Sequence, residues 1–278
     1  MAPKGAKNAL VQYFCGATGA PQAVAQRYLQ KYGNNLERAT NAYLDESGNA
    51  SGVALSNESR AALTALFDRY AGASRLTDPD EDMVTTDGAL FMFGDLGIAP
   101  DSVTVLPLSY CLQSPSLGLF HREPYVTGWA RLIGNVKASS DEVLDQQREA
   151  IPHLQDAFAR DEPLFGKGLY TSVYEYAFLF TRAEGQKSLP LEVATMLWDM
   201  LLPYASSWTT GGTFSEQQYA HWKRFLNEAS GVKVITRDTW TQFLEFTHEK
   251  DAITTHDFEA AWPSLIDDYV AWARENTQ

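Results

Sequence analysis

From residue 59 to the C-terminus, apolar side chains recur at spacings of three and four in one segment after another. No stretch shows the two-residue alternation of a half-buried strand. SRAALTALFDRYAG puts Leu63, Leu66, Phe67 and Tyr70 on one helical face, while LYTSVYEYAFLF and PLEVATMLWDMLL are apolar enough to be central helices. The punctuation agrees. Gly97 and Gly134 close helical patterns, Ser139-Ser140-Asp141-Glu142 opens a helix running toward Leu154, and Pro107 marks an early turn or a kink. YASSWTTGGTFSEQ, residues 204–217, reads as a loop. The expected fold class is all-α.

Upstream, residues 8–45 contain three short helical patterns. NALVQYFC places Leu10, Val11 and Phe14 together, GATGAP breaks the run, and PQAVAQRYLQKY follows with Pro21 suited to a first helical turn. Asn34 and Asn35 are placed to cap LERATNAYLDE. The segment ESGNASGVALSN, rich in Ser, Gly and Asn, has the composition of a flexible linker. The expected organisation is a small bundle at 8–45, a linker at 46–58 and a large helical domain at 59–278.

The chain carries a formal charge of −13, and its last 41 residues hold nine acids against two bases. Such a balance argues against nucleic acid and against an anionic membrane surface, and favours a basic partner. Solubility alone is the competing reading. Two cysteines, Cys15 and Cys111, make neither a metal-ligand set nor a disulfide framework. MAPKGAKNAL has no apolar signal core, and no run approaches 18 apolar residues. These features fit an intracellular, soluble protein.

A search for chemistry returns little. In DPDEDMVTTDGA, Asp78, Asp80 and Asp82 occupy positions 1, 3 and 5 of a calcium loop, but Met83 stands where the turn needs Gly and Ala89 where a bidentate Glu is needed. His121, His153, His221, His248 and His256 form no metal-binding spacing. There is no nucleophile elbow, phosphate loop or dinucleotide fingerprint. Cys111 lies in an apolar helical pattern, and no base neighbours Cys15. The residues point to an interaction protein without a metal or cofactor, rather than to an enzyme.

RDTW at 237–240 followed by AWPSLIDDYVAWAR at 261–274, together with DGALFMFGDLGIAPDSV and GQKSLPLEVATMLWDMLL, resembles the conserved blocks of the defective-in-cullin-neddylation family. The resemblance runs from about residue 59 to 275, and the 8–45 bundle is similar to the ubiquitin-associated domain of some members. It implies an all-helical fold with EF-hand-like helix pairs that have lost calcium. It also implies a non-catalytic ligase component, cytoplasmic and nuclear. Such a component binds a cullin and the neddylation conjugating enzyme and promotes transfer of the ubiquitin-like modifier to a cullin lysine. Positioning two bound reactants accelerates transfer without acid–base groups. An EF-hand-related calcium-binding regulator is the alternative.

The same resemblance assigns sites. Asp238, Ala261 and Asp267 match the acidic patch that docks the cullin C-terminal domain, with Asp268 adjacent. Helical spacing turns Asp267 outward with Ser264 and Ala271, so exposure alone would also explain it. Ala89, Val105, Leu108, Leu117, Phe120, Phe180, Leu197 and Met200 match the pocket for the N-acetylated conjugating enzyme, although core packing would use the same residue types. This chain has Leu197 and Gly118 where animal members carry an aromatic and a Cys. Gly16, Ala17, Tyr43 and Leu44 match the ubiquitin-contacting loop and helix end, without the usual Met-Gly-Phe/Tyr loop.

Overall fold

A computed structural model describes residues 10, 11, 14, 22–35, 38–40, 42–43, 55–74, 83–134, 140–164, 167–183, 185–208 and 213–276. The chain divides into two compact units, Met1–Pro100 with Ser109–Pro152, and Asp101–Leu108 with His153–Gln278.

The first unit contains the N-terminal segment, built around α1 (Gln22–Lys31). Val11, Phe14, Ala25, Tyr28, Leu29 and Ala39 form its own buried core. The expected cap is present: Asn35 Oδ1 accepts from the Arg38 N–H at 3.0 Å.

Beyond it, α2 (Asn57–Ser74) is followed by β1 (Met83–Val84) and α3 (Thr86–Leu96). Ser56 Oγ accepts from the Ser59 N–H at 3.1 Å, so this helix starts two residues inside the segment read as linker. Gly97 ends α3 in the left-handed conformation at φ 70°. Then come α4 (Val105–Cys111), β2 (Phe120–His121), α5 (Arg122–Ile133) and α6 (Ser140–Ala159). β1 and β2 pair antiparallel, Met83 opposite His121 and Val84 opposite Phe120. α2 packs on α3 and α5, with Phe67 against Tyr125 at 5.4 Å and Tyr125 against Trp129 at 6.4 Å. Two ion pairs, Arg60–Glu123 and Arg122–Asp68, tie α2 to α5. Pairs this exposed contribute about 0–1 kcal/mol, so aromatic burial carries the packing.

The second unit contains the hairpin of β3 (Pro163–Leu164) and β4 (Lys167–Gly168), then α7 (Leu169–Thr181), β5 (Ser188–Pro190) and α8 (Leu191–Leu201). After two 3-10 turns follow α9 (Glu216–Glu228), β6 (Val234–Thr236), α10 (Arg237–His248), the short α11 (Ala252–Thr255) and α12 (Ser264–Asn276). β5 and β6 pair antiparallel through Ser188–Thr236, Leu189–Ile235 and Pro190–Val234. An aromatic stack fills the centre. Trp240 lies between Tyr174 at 4.5 Å and Trp198 at 5.3 Å, and Trp222 stacks on Phe243 at 4.5 Å.

The fold is mostly helical, as the periodicity predicts. Among the described residues there are also three antiparallel ladders of two or three residues, which the sequence does not announce because runs that short show no alternation. The described parts of the 204–217 segment, 204–208 and 213–217, are also less loop-like than their composition suggests. Leu202–Tyr204 and Ser206–Trp208 form 3-10 turns, and Ser215 with Gln218 makes a reciprocal capping box that starts α9.

Candidate functional site

The acidic residues singled out in the sequence lie on α10 and α12, which pack on one another. Thr236 caps α10, its Oγ1 accepting from the Thr239 N–H at 3.1 Å. Asp238 is therefore the second helical residue, exposed in the first turn, where a carboxylate complements the helix dipole. Two residues on, Trp240 is fully buried and fixes this end of α10 in the core. Phe246 meets both Trp262 and Tyr269 at 6.0 Å, joining α10 to the α12 segment.

α12 buries Ile266, Tyr269, Val270 and Ala273. Ser264, Asp268 and Ala271 face outward, as the helical wheel predicts. Asp267 does not: its side chain is 28% exposed, and its Oδ1 accepts from His256 Nε2 at 2.7 Å. The wheel considers α12 alone, and the segment ahead of α12 folds back over that edge. Ala261 is exposed, two residues before Pro263.

Around these residues Glu245, Glu249, Asp251, Asp257, Glu259 and Asp268 are exposed, and among the described residues none of them pairs with a Lys or Arg. Arg274, the nearby base on α12, instead donates to the carbonyls of Ile253, Thr254 and His256. The surface keeps its negative field, the form of electrostatics that steers a basic partner.

Of the residues matched to the conjugating-enzyme pocket, Ala89, Leu117 and Phe120 belong to the first unit, and Val105, Leu108, Phe180, Leu197 and Met200 to the second. Ala89, Val105, Leu108, Phe120, Phe180 and Leu197 are buried, whereas Leu117 is 63% exposed. Met200 is half-buried and lines an open groove of about 760 Å³ with Pro190, Leu191, Met196 and Lys233. Gly118 sits at φ +75°, where a Cβ would come within 3.1 Å of Thr86 Oγ1. The position therefore suits glycine in this chain.

Residues 146–272 match the family model described as cullin binding, and residues 8–50 match a UBA-like domain. The chain is 36% identical to "Defective in cullin neddylation protein 1" of Mycosarcoma maydis, over 97% of this chain and 95% of that one. It is 30% identical to the protein of the same name in Yarrowia lipolytica, over 93% of both. The chain belongs to the defective-in-cullin-neddylation family. More distantly, it is 27% identical to "DCN1-like protein 3" of Drosophila melanogaster, over 76% of this chain and 55% of that protein.

Of the residues the family pattern marks for ubiquitin contact, Gly16, Ala17 and Leu44 lie outside the described residues. Tyr43 is half-buried, its ring edge-on to Tyr28 at 5.2 Å and Phe14 at 5.5 Å, so it serves the bundle core. Asp78, Asp80 and Asp82 also lie outside the described residues, among which no group of three His, Cys, Asp or Glu could hold a metal. Cys111 is buried, and burial pushes its thiol up to about 12, away from nucleophilic use. Among the described residues no helix is long and apolar enough to cross a membrane.

The residue that sequence reasoning missed is His256. Its ring is 2% exposed, enclosed by Phe246, Phe258 and Trp262 at 6.1, 4.9 and 5.7 Å. A histidine in a polar run, TTHDFEA, carries no mark of burial; only the chain reversal ahead of α12 brings it to Asp267.

Proposed function

We propose that this protein is a scaffold in cullin neddylation. It holds a cullin C-terminal domain on the surface around Asp238, Ala261 and Asp267. It binds the N-acetylated neddylation conjugating enzyme through residues of the set Ala89, Val105, Leu108, Leu117, Phe120, Phe180, Leu197 and Met200. Family membership supports the role in cullin neddylation. The carrying observation is the acidic surface on α10 and α12. Among the described residues its exposed carboxylates are left without Lys or Arg partners, and a small alanine stands at its edge.

The chemistry follows from tethering. The conjugating enzyme supplies the thioester, the cullin supplies the lysine, and joint binding raises their effective concentration. On this reading the protein needs no nucleophile of its own and works in the cytoplasm and nucleus. The N-terminal bundle adds a weak contact to ubiquitin or the ubiquitin-like modifier. A neutral acetyl cap suits an apolar site because burial of a charged amine costs free energy.

The test is reconstituted cullin modification with purified conjugating enzyme, with and without this protein. A rise in the single-turnover rate that grows with protein concentration and saturates is expected. An unchanged rate at concentrations that saturate cullin binding rejects the reading.

A further inference from the structure

We infer that His256 is a positioning residue of the docking surface, holding the Asp267 carboxylate in the orientation that receives the basic partner. The inference rests on the docking role proposed for Asp267 and adds the residue that sets its geometry.

Three observations carry it. First, the bond is short and charge-assisted: Nε2 of His256 lies 2.7 Å from Asp267 Oδ1, in the range where such bonds are strong and directional. Oδ1 is thereby engaged by the imidazole. Second, the imidazole has no freedom. Its side chain is 2% exposed, in a cage formed by Phe246, Phe258 and Trp262. Third, the backbone of His256 is held from the same helix that carries Asp267. Arg274 stands seven residues, two turns, beyond Asp267 and so on the same face. Its Nε donates to Ile253 O at 2.7 Å and its Nη2 to Thr254 O and His256 O at 3.3 and 3.4 Å. The guanidinium also covers the Phe258 ring at 5.0 Å. The segment bearing His256 is thus attached to α12 at two points, and one of them is the carboxylate.

A half-buried aspartate free to rotate would spend its time among rotamers and lose that order on binding. An aspartate held in advance gives up less entropy on association. Asp238 and Asp268 are exposed and, among the described residues, carry no such restraint, so Asp267 is the restrained point of the surface.

The test uses the full chain and a purified cullin C-terminal domain, with affinity measured by titration calorimetry. His256→Phe fills the cage and removes the donor; His256→Gln places an amide N–H near the position of the imidazole Nε2. His256→Phe is expected to weaken binding at least fivefold, and His256→Gln to restore it to within twofold of the parent. In an Asp267→Ala background, His256→Phe should add less than a twofold loss. Equal losses from His256→Phe with and without Asp267, or no loss at all, overturn the inference while leaving the docking role intact. If Asp267→Ala itself leaves binding unchanged, the docking role of Asp267 falls, and the inference with it.

Discussion

Tyr174 and Trp240 hold each other by two reciprocal hydrogen bonds. Their rings stack 4.5 Å apart, Tyr174 Oη donates to Trp240 O at 2.9 Å, and Trp240 Nε1 donates to Tyr174 O at 2.9 Å. The Tyr174 hydroxyl also accepts from Trp198 Nε1 at 2.9 Å. One phenol oxygen therefore satisfies an indole on α8 and a carbonyl on α10. Since α10 carries Asp238, this buried network also fixes one corner of the acidic surface.

Tyr174→Phe keeps the ring, strands the buried Trp198 N–H and removes the second hydrogen bond to the Trp240 carbonyl, which lies within the α10 ladder. The expected cost is about 1–3 kcal/mol, chiefly from the unsatisfied indole N–H. Trp240→Ala should cost about 3–5 kcal/mol through the cavity it leaves. Urea unfolding measures both. A Tyr174→Phe loss below about 0.5 kcal/mol would show that the hydroxyl contributes nothing net.

Gly128 is the second sensitive point. It lies inside α5, where alanine is ordinarily preferred by about 1 kcal/mol. Here an added Cβ would lie 2.5 Å from Cys111 O and 2.9 Å from Leu112 Cδ2. Backbone at that distance does not yield as a flexible side chain does, so Gly128→Ala is expected to destabilise despite its helix propensity. The expected loss is about 1–3 kcal/mol, typical of overpacking. A melting temperature equal to or above the parent's would contradict the close approach.

Much of this was legible in the sequence, and the exceptions share a cause. Helices, their glycine stops and the Asn35 cap are local, set by residues within a turn or two of one another. The ladders β1–β2 and β5–β6 join segments far apart in sequence and are two or three residues long, so no periodicity announces them. The docking role proposed for Asp238 and Asp267 comes only from the family pattern, since charge composition does not distinguish them from Asp268 or Glu259. His256 was invisible because its role depends on a chain reversal that no local rule encodes.

Stability should fall steeply at alkaline pH. Burial raises the phenol pKa of Tyr70, Tyr125, Tyr170, Tyr174, Tyr219 and Tyr269 above the ordinary 10.0. The Cys111 thiol is likewise pushed up from 9.0 to about 12 by burial. Above these ordinary values the unfolded chain releases protons that the folded chain keeps, so stability is full below about pH 9 and declines as pH rises. Each such group contributes up to about 1.4 kcal/mol per pH unit. Denaturant unfolding at pH 8, 9, 10 and 11 reads the slope. A flat profile to pH 11 would mean that these side chains reach solvent in the folded state.

The proposed conjugating-enzyme site yields a prediction about the ligand. Peptides of the enzyme's N-terminal helix, with and without the N-acetyl group, should differ at least tenfold in affinity, because an α-ammonium carries a desolvation cost that the acetyl cap removes. Met200→Ala should weaken the acetylated peptide, since this half-buried side chain already borders a groove. Equal binding of the two peptides would contradict the assignment.

Charge reversal at Asp238 separates docking from folding. Asp238 is exposed in the first turn of α10, so Asp238→Lys should cost no more than about 1 kcal/mol, the loss of a favourable helix-dipole contact. Its effect on a basic cullin surface should be far larger, a fall in affinity of at least tenfold, with Asp238→Asn intermediate. Asp267→Lys should also abolish binding, but with a larger loss of stability, because it breaks the bond to His256 and forces a cation against a half-buried site. Binding by the parent should weaken as salt rises from about 0.05 to 0.5 M, since exposed charges are screened over a Debye length that shrinks with ionic strength. Titration calorimetry paired with thermal melts reads both quantities. Parent-like affinity in the folded Asp238→Lys protein would remove Asp238 from the docking surface.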